Sequence, residues 1–172
     1  MKKIVLVILA AALVSSLAFA EGAAAAGQIG LQAGVVFTGT ALGNAGDVGA
    51  KYMITDAIAL RAALGLLNIS SGGDSTTLFD LGVGFEYHFG GKGGVSPYAG
   101  AEISYSGASV PVGDNPSQFG VVGVFGAEYF FSSNFSWAGE GRLGFIFDDN
   151  AGVKTNFIGT LGFASFLTWY IN

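Results

Sequence analysis

Residues 139 to 144 read GEGRLG, the G-x-G-x-x-G spacing with which a glycine-rich turn brings a helix N-terminus up to a pyrophosphate. That chemistry requires a helix to begin at the glycines, whereas the following FIFDD places Phe145 and Phe147 at alternate positions, as a strand does. The motif therefore predicts no cofactor. His88 is the only histidine and cysteine is absent. A multi-histidine metal site, a thiolate zinc centre, a disulfide framework and a cysteine nucleophile are thereby excluded, and a Ser-His-Asp site would have to use His88. His88 reads instead as an interior residue that fills space. Asp148-Asp149-Asn150 offers oxygens to a hard cation but lacks the spaced ligands of a calcium loop, so it reads as a solvated acidic loop. Asn68-Ile69-Ser70 and Asn134-Phe135-Ser136 fit the glycosylation pattern as chance matches.

What remains is a set of isolated charges, and the elements that must position them are strands. Residues 78 to 89, LFDLGVGFEYHF, set Phe79, Leu81, Val83, Phe85, Tyr87 and Phe89 against Asp80, Gly82, Gly84, Glu86 and His88. A strict period of two gives a strand with two unlike faces. The same pattern sets Ile29, Leu31, Ala33, Val35 and Phe37 against Gln28, Gly30, Gln32, Gly34 and Thr38. In 135–147 it sets Phe135, Trp137, Leu143, Phe145 and Phe147 against Ser136, Glu140, Arg142 and Gly144. Strand-like stretches fall at 28–38, 47–54, 58–68, 78–89, 97–107, 119–131, 135–147 and 157–171, an even number that permits closure. Connections at 39–46, 69–77, 108–118 and 148–156 read as longer and polar; 55–57, 90–96 and 132–134 read as mostly short.

The composition decides which face is outside. The chain is 51% hydrophobic and 11% charged, with 29 glycines and 15 phenylalanines. A soluble barrel would bury its apolar face and wear a dense charged coat. Here the second face has too few charges for such a coat, interleaved with glycines such as Gly30, Gly34, Gly65, Gly82, Gly84, Gly126 and Gly144. That composition suits a narrow lumen, in which long residues need glycines opposite them. The apolar face then meets lipid, and because lipid offers no partner to an open strand edge, the sheet must close. The expected fold is all-β: an eight-stranded antiparallel up-and-down transmembrane β-barrel.

MKKIVLVILAAALVSSLAFA opens the chain with Lys2 and Lys3, an apolar stretch and a small-residue Ala-Phe-Ala ending. This is the pattern of a cleaved signal peptide over 1–20, too short in its apolar run for a spanning helix. A lead-in over 21–27 and the barrel over 28–172 complete the expected organisation. Loss of the two lysines takes the formal charge from −5 to −7, which argues against nucleic acid as a partner.

The alternation predicts an inward charge network of Lys51, Arg61, Glu86, Glu102, Glu128, Glu140 and Arg142, with Asp80 on the same face. A loop centred near Gly73 would bring Arg61 opposite about Glu86. Lys51 would sit beside Arg61 across the turn near Asp56, Glu128 and Glu140 would face both from the far wall, and Arg142 would lie at the level of Glu102. Outward aromatics are expected to form two girdles. Tyr52, Tyr87, Tyr129, Trp137 and Trp169 fall at the short-turn rim, Phe37, Phe79, Phe119 and Phe147 at the long-loop rim.

Residues 27 to 172 resemble, as an architecture, the small outer-membrane β-barrel family typified by OmpA and OmpX. The resemblance rests on the signal peptide, the eight alternating strands, the loop asymmetry and the aromatic-rich last strand, GTLGFASFLTWYIN. It implies a bacterial outer-membrane location, periplasmic termini, outer-membrane lipid as surroundings and the barrel-assembly machinery as a partner during insertion. Family members usually end on an aromatic residue that this machinery reads, whereas here Trp169, Tyr170 and Ile171 precede Asn172. The expected role is structural or surface-interacting and non-enzymatic, with a side-chain-filled lumen. A narrow solute conduit and an adhesin acting through the outer loops are the other readings.

Overall fold

A computed structural model describes residues 24–38, 45–71, 73–90, 94–113, 115–148 and 156–171, with the side chains of residues 38, 45, 71, 148 and 156–161 left aside. The expected signal peptide over 1–20 and the acidic Asp149-Asn150 lie outside the described residues. The strands are β1 (Ile29–Thr38), β2 (Ala45–Met53), β3 (Ile58–Ser71), β4 (Asp74–His88), β5 (Val95–Ser109), β6 (Ser117–Ser132), β7 (Phe135–Asp148) and β8 (Asn156–Ile171). Each pairs antiparallel with the next, and β8 returns to β1 from Ile29↔Ile171 to Thr38↔Gly162. The hydrogen-bond ladder therefore closes on itself and leaves no edge, the condition for strands in lipid.

The period-two pattern sorts the wall into its two faces. Leu31, Leu64, Val83, Ile103 and Leu143 are exposed on the outer surface, while Lys51, Arg61, Glu86, Glu102 and Glu140 are buried within. Tyr52, Tyr87, Tyr129, Trp137, Trp169, Phe37 and Phe119 are exposed on the outside, and Phe79 and Phe147 are half-buried there.

Direct cross-strand partners explain several glycines. Tyr98 pairs with Gly126, Phe166 with Gly34 and Tyr170 with Gly30, all on the inner face. In each pair the ring lies over the glycine, so that an added Cβ would meet ring carbons within 3.0 Å. Outside, Phe79 covers Gly107 and Phe125 covers Gly141 in the same way. A ring laid on a bare backbone recovers the packing that glycine lacks.

The connection between β3 and β4 differs from the long polar loop expected over 69–77. The strands run on to Ser71 and resume at Asp74, and Gly73 takes the left-handed turn conformation (φ 97°). Beyond Leu66 and Phe79 the colouring of the faces inverts. Asn68 bonds Ser75 and Thr77 on the outer face, while Leu67, Ile69 and Leu78 take the inner-face positions. An outer face that turns polar is what a hairpin needs once it leaves lipid for water. β5 and β6 are likewise longer than the expected 97–107 and 119–131, and β2 starts earlier, at Ala45.

At the opposite end the lead-in folds back on the barrel. Gly27 N–H donates to the Met53 carbonyl (2.8 Å) and Ala26 N–H to Asp56 Oδ1 (2.9 Å). Ala24 is buried in a cluster with Met53, Ala59, Phe130 and Tyr170, which forms an apolar floor below the charged residues.

Candidate functional site

An ion-pair network on the inner face gathers three cations and four carboxylates. Lys51 and Arg61 are direct partners on β2 and β3, so both enter the interior at one level. Lys51 Nζ contacts Glu86 Oε2 at 2.7 Å and Glu128 Oε2 at 3.1 Å. Arg61 reaches Glu86 at 2.7 Å through Nη1 and Glu102 at 3.0 Å through Nη2, and also bonds Glu140. Arg142 pairs with Glu102 and lies 3.6 Å from Glu140. Every cation thus touches at least two acids, and Glu86, Glu102 and Glu140 each bridge two cations. Asp80 is half-buried, with no ion pair among the described residues.

The register differs from the expected one. Arg61 lies opposite Gly84, and Glu86 opposite Ala59, because the β3–β4 ladder runs unbroken from Ile58↔Tyr87 to Ser71↔Asp74. The Arg61–Glu86 contact is therefore diagonal, and Gly84 leaves space beside it.

Neutral groups complete the network, and of these the sequence patterning placed only Ser136 on the inner face. Tyr170 donates to Glu128 (2.8 Å), as does Ser136, and Tyr98 donates to Glu140 (3.0 Å). Lys51 Nζ lies 5.3 Å from the Tyr98 ring centre, and the Arg61 guanidinium 5.2 Å from that of Phe166. The signal for them is the strand parity: Phe166, Thr168 and Tyr170 share the inner phase of β8, opposite to the outward aromatics of the girdles.

His88 bonds Ser96 Oγ at 2.8 Å through Nδ1 and Glu86 Oε2 at 3.3 Å through Nε2. Serine, histidine and glutamate in line have the outward form of a nucleophile, base and orienting acid. All three are buried inside the wall, and Glu86 Oε2 is shared with Lys51. The arrangement holds Glu86 in place. Among the described residues no group of three or more histidine or acidic side chains is disposed to hold a metal.

A closed ladder, an apolar outer wall and an ion-pair network turned into the interior define a transmembrane β-barrel. The chain matches the outer membrane protein beta-barrel domain over residues 6–163 and belongs to that family, which places it in the bacterial outer membrane. Among solved structures it is similar to the N-terminal β-barrel domain of Pseudomonas aeruginosa OprF (15% identity, TM-score 0.58), covering 85% of this chain and 98% of that one. It is similar also to Neisserial surface protein A (20%, 0.56, covering 83% and 95%). Pseudomonas aeruginosa OprG gives 10% and 0.59, covering 88% and 100%. At these identities the likeness is one of fold. No curated protein sequence matches the chain.

Proposed function

We propose that this protein is a non-enzymatic structural or surface-interacting component of the outer membrane, with its lumen sealed by charged side chains. The observation that carries the reading is the bridging of Lys51, Arg61 and Arg142 by Glu86, Glu102, Glu128 and Glu140 across the interior. An eight-stranded wall encloses about the volume its inward side chains fill. The apolar floor of Ala24, Met53, Ala59, Phe130 and Tyr170 closes the same path at the termini end. The outward aromatics act as the two girdles that fix the barrel's depth. Reconstituted liposomes loaded with a small sugar should exchange it no faster than protein-free liposomes. Exchange proportional to protein content would replace this reading with the conduit.

The signal peptide, cleaved after Ala20, delivers the chain through the periplasm, and both termini stay on that side with the short turns. A protease site inserted at Asp114, in the β5–β6 loop, should be cut in intact cells. One inserted at Lys92, in the β4–β5 turn, should be protected until the outer membrane is permeabilised. The opposite pattern would invert the topology.

A further inference from the structure

Above the ion-pair network a second row of inward residues crosses the wall. Asp47 pairs with Gly65, Gly65 with Asp80, Asp80 with Ser106 and Ser106 with Gln118, one on each of β2 to β6. Apart from the glycine, every member carries an oxygen, and none carries a positive charge. Asp47 is 6% exposed, yet no ion pair links it or Asp80 to a cation among the described residues. The two buried side-chain atoms without a hydrogen-bond partner among the described residues are Asp47 Oδ1 and Gln118 Oε1, both acceptors and both on this row.

Buried acceptors and uncompensated carboxylates are costly, so such a row calls for a donor or a positive charge. The nearest cations below are already engaged: Arg142 with Glu102 and Glu140, Arg61 with Glu86, Glu102 and Glu140. Strands lie about 4.8 Å apart, so the Asp47 and Asp80 backbones stand roughly 10 Å apart across the bare Gly65. A closed wall turns both side chains inward. That span suits two carboxylates closing on one ion with oxygen distances of about 2.3–2.6 Å.

We propose that Asp47 and Asp80 bind a hard divalent cation of calcium's size in the lumen, with Ser106 and Gln118 supplying neutral oxygens and water completing the shell. Two carboxylates match the ion's charge. A flexible, all-oxygen set favours calcium over magnesium, which demands a tighter octahedron.

The test uses the refolded barrel in a zwitterionic detergent, stripped of divalent ions and titrated with calcium chloride, magnesium chloride, or sodium chloride at matched ionic strength. Sites of this kind bind calcium with dissociation constants of about 10⁻⁴–10⁻³ M. Calcium at ~10 mM should therefore shift the folding equilibrium about tenfold or more toward the native state. The shift should be smaller with magnesium and absent with sodium. Asp47→Asn and Asp80→Asn should each abolish it, while Asp74→Asn, at the hairpin tip, should leave it intact. Calorimetry on the wild type, which needs no variant to fold, should show saturable calcium binding. No saturable binding, or an equal calcium response in wild type and Asp47→Asn, overturns the proposal. So does an Asp47→Asn variant that is more stable than wild type with no ion dependence in either, since the carboxyl would then be held as a neutral acid.

Discussion

Arg61→Ala should lower the denaturant midpoint of the refolded barrel more than removal of any other single charge. Arg61 is 5% exposed and bonds Glu86, Glu102 and Glu140, so its loss withdraws a cation from three carboxylates at once. Removing one partner of a buried pair costs about 3–5 kcal/mol, because the remaining charge keeps its desolvation penalty without its compensation. Lys51 and Arg142 hold the abandoned acids from one side only, Glu86 through Lys51 and Glu102 and Glu140 through Arg142. Lys154→Ala, between β7 and β8, should stay within about 0.5 kcal/mol of wild type. Adding Glu140→Gln to Arg61→Ala should recover part of the loss, because Glu140 is the acid that bonds both terminal nitrogens, Nη1 and Nη2, of Arg61. Denaturation followed by tryptophan fluorescence measures all of these variants. A neutral Arg61→Ala would mean that lumen water already solvates the acids.

The second large effect is expected at a residue without a side chain. A Cβ at Gly126 would lie 2.4 Å from the Gly139 carbonyl oxygen and 2.9 Å from Tyr98 Cζ and its hydroxyl. Gly126→Leu must therefore displace the Tyr98 ring and break its hydrogen bond to Glu140. Overpacking costs about 1–3 kcal/mol, and a lost hydrogen bond to a charged group about 1.5–3 kcal/mol. Together they should reduce stability by roughly 3 kcal/mol or more, or prevent refolding. Gly123, three residues away on the outer face, gives the control: its Cβ would meet only the Leu143 carbonyl oxygen, at 3.4 Å, so Gly123→Ala should fold normally. Equal behaviour of the two variants would show that Tyr98 does not rest on Gly126.

The sequence made strand number, closure and facing legible because a spanning strand meets only two environments, lipid and lumen, and its side chains alternate between them. The pattern failed where that condition ends. Residues 69–77 read as a loop because their polarity does not fit a lipid-facing strand, yet the strands continue there with Ser70, Ser75 and Thr77 outward, as Asn68 is, and Ile69 inward beside Leu67 and Leu78. The period was still two; only its polarity had reversed. The turn falls at Gly73 as expected, but the ladder through it gives Arg61 the partner Gly84 and not a residue near Glu86.

The charged residues were named from parity alone, but their pairing was only partly readable. Lys51 beside Arg61 follows from a short turn, which fixes register locally. Glu128 and Glu140 were expected on the far wall facing both cations, and Lys51 does meet Glu128 and Arg61 Glu140, 77 and 79 positions apart; which acid each cation takes depends on the stagger of the whole barrel. Tyr98, Phe166 and Tyr170 escaped notice because each is accommodated by a glycine on a neighbouring strand, a relation between distant positions. No single strand shows it.

Whether this bridged set of charges closes the lumen is tested most directly by single-channel recording in planar bilayers. The wild-type barrel, inserted from detergent into a bilayer bathed in molar potassium chloride, should give no stepwise current above the protein-free baseline. Steady, ohmic steps from the wild type, unchanged in size by Arg61→Ala, would show an open water path past the network and contradict the account.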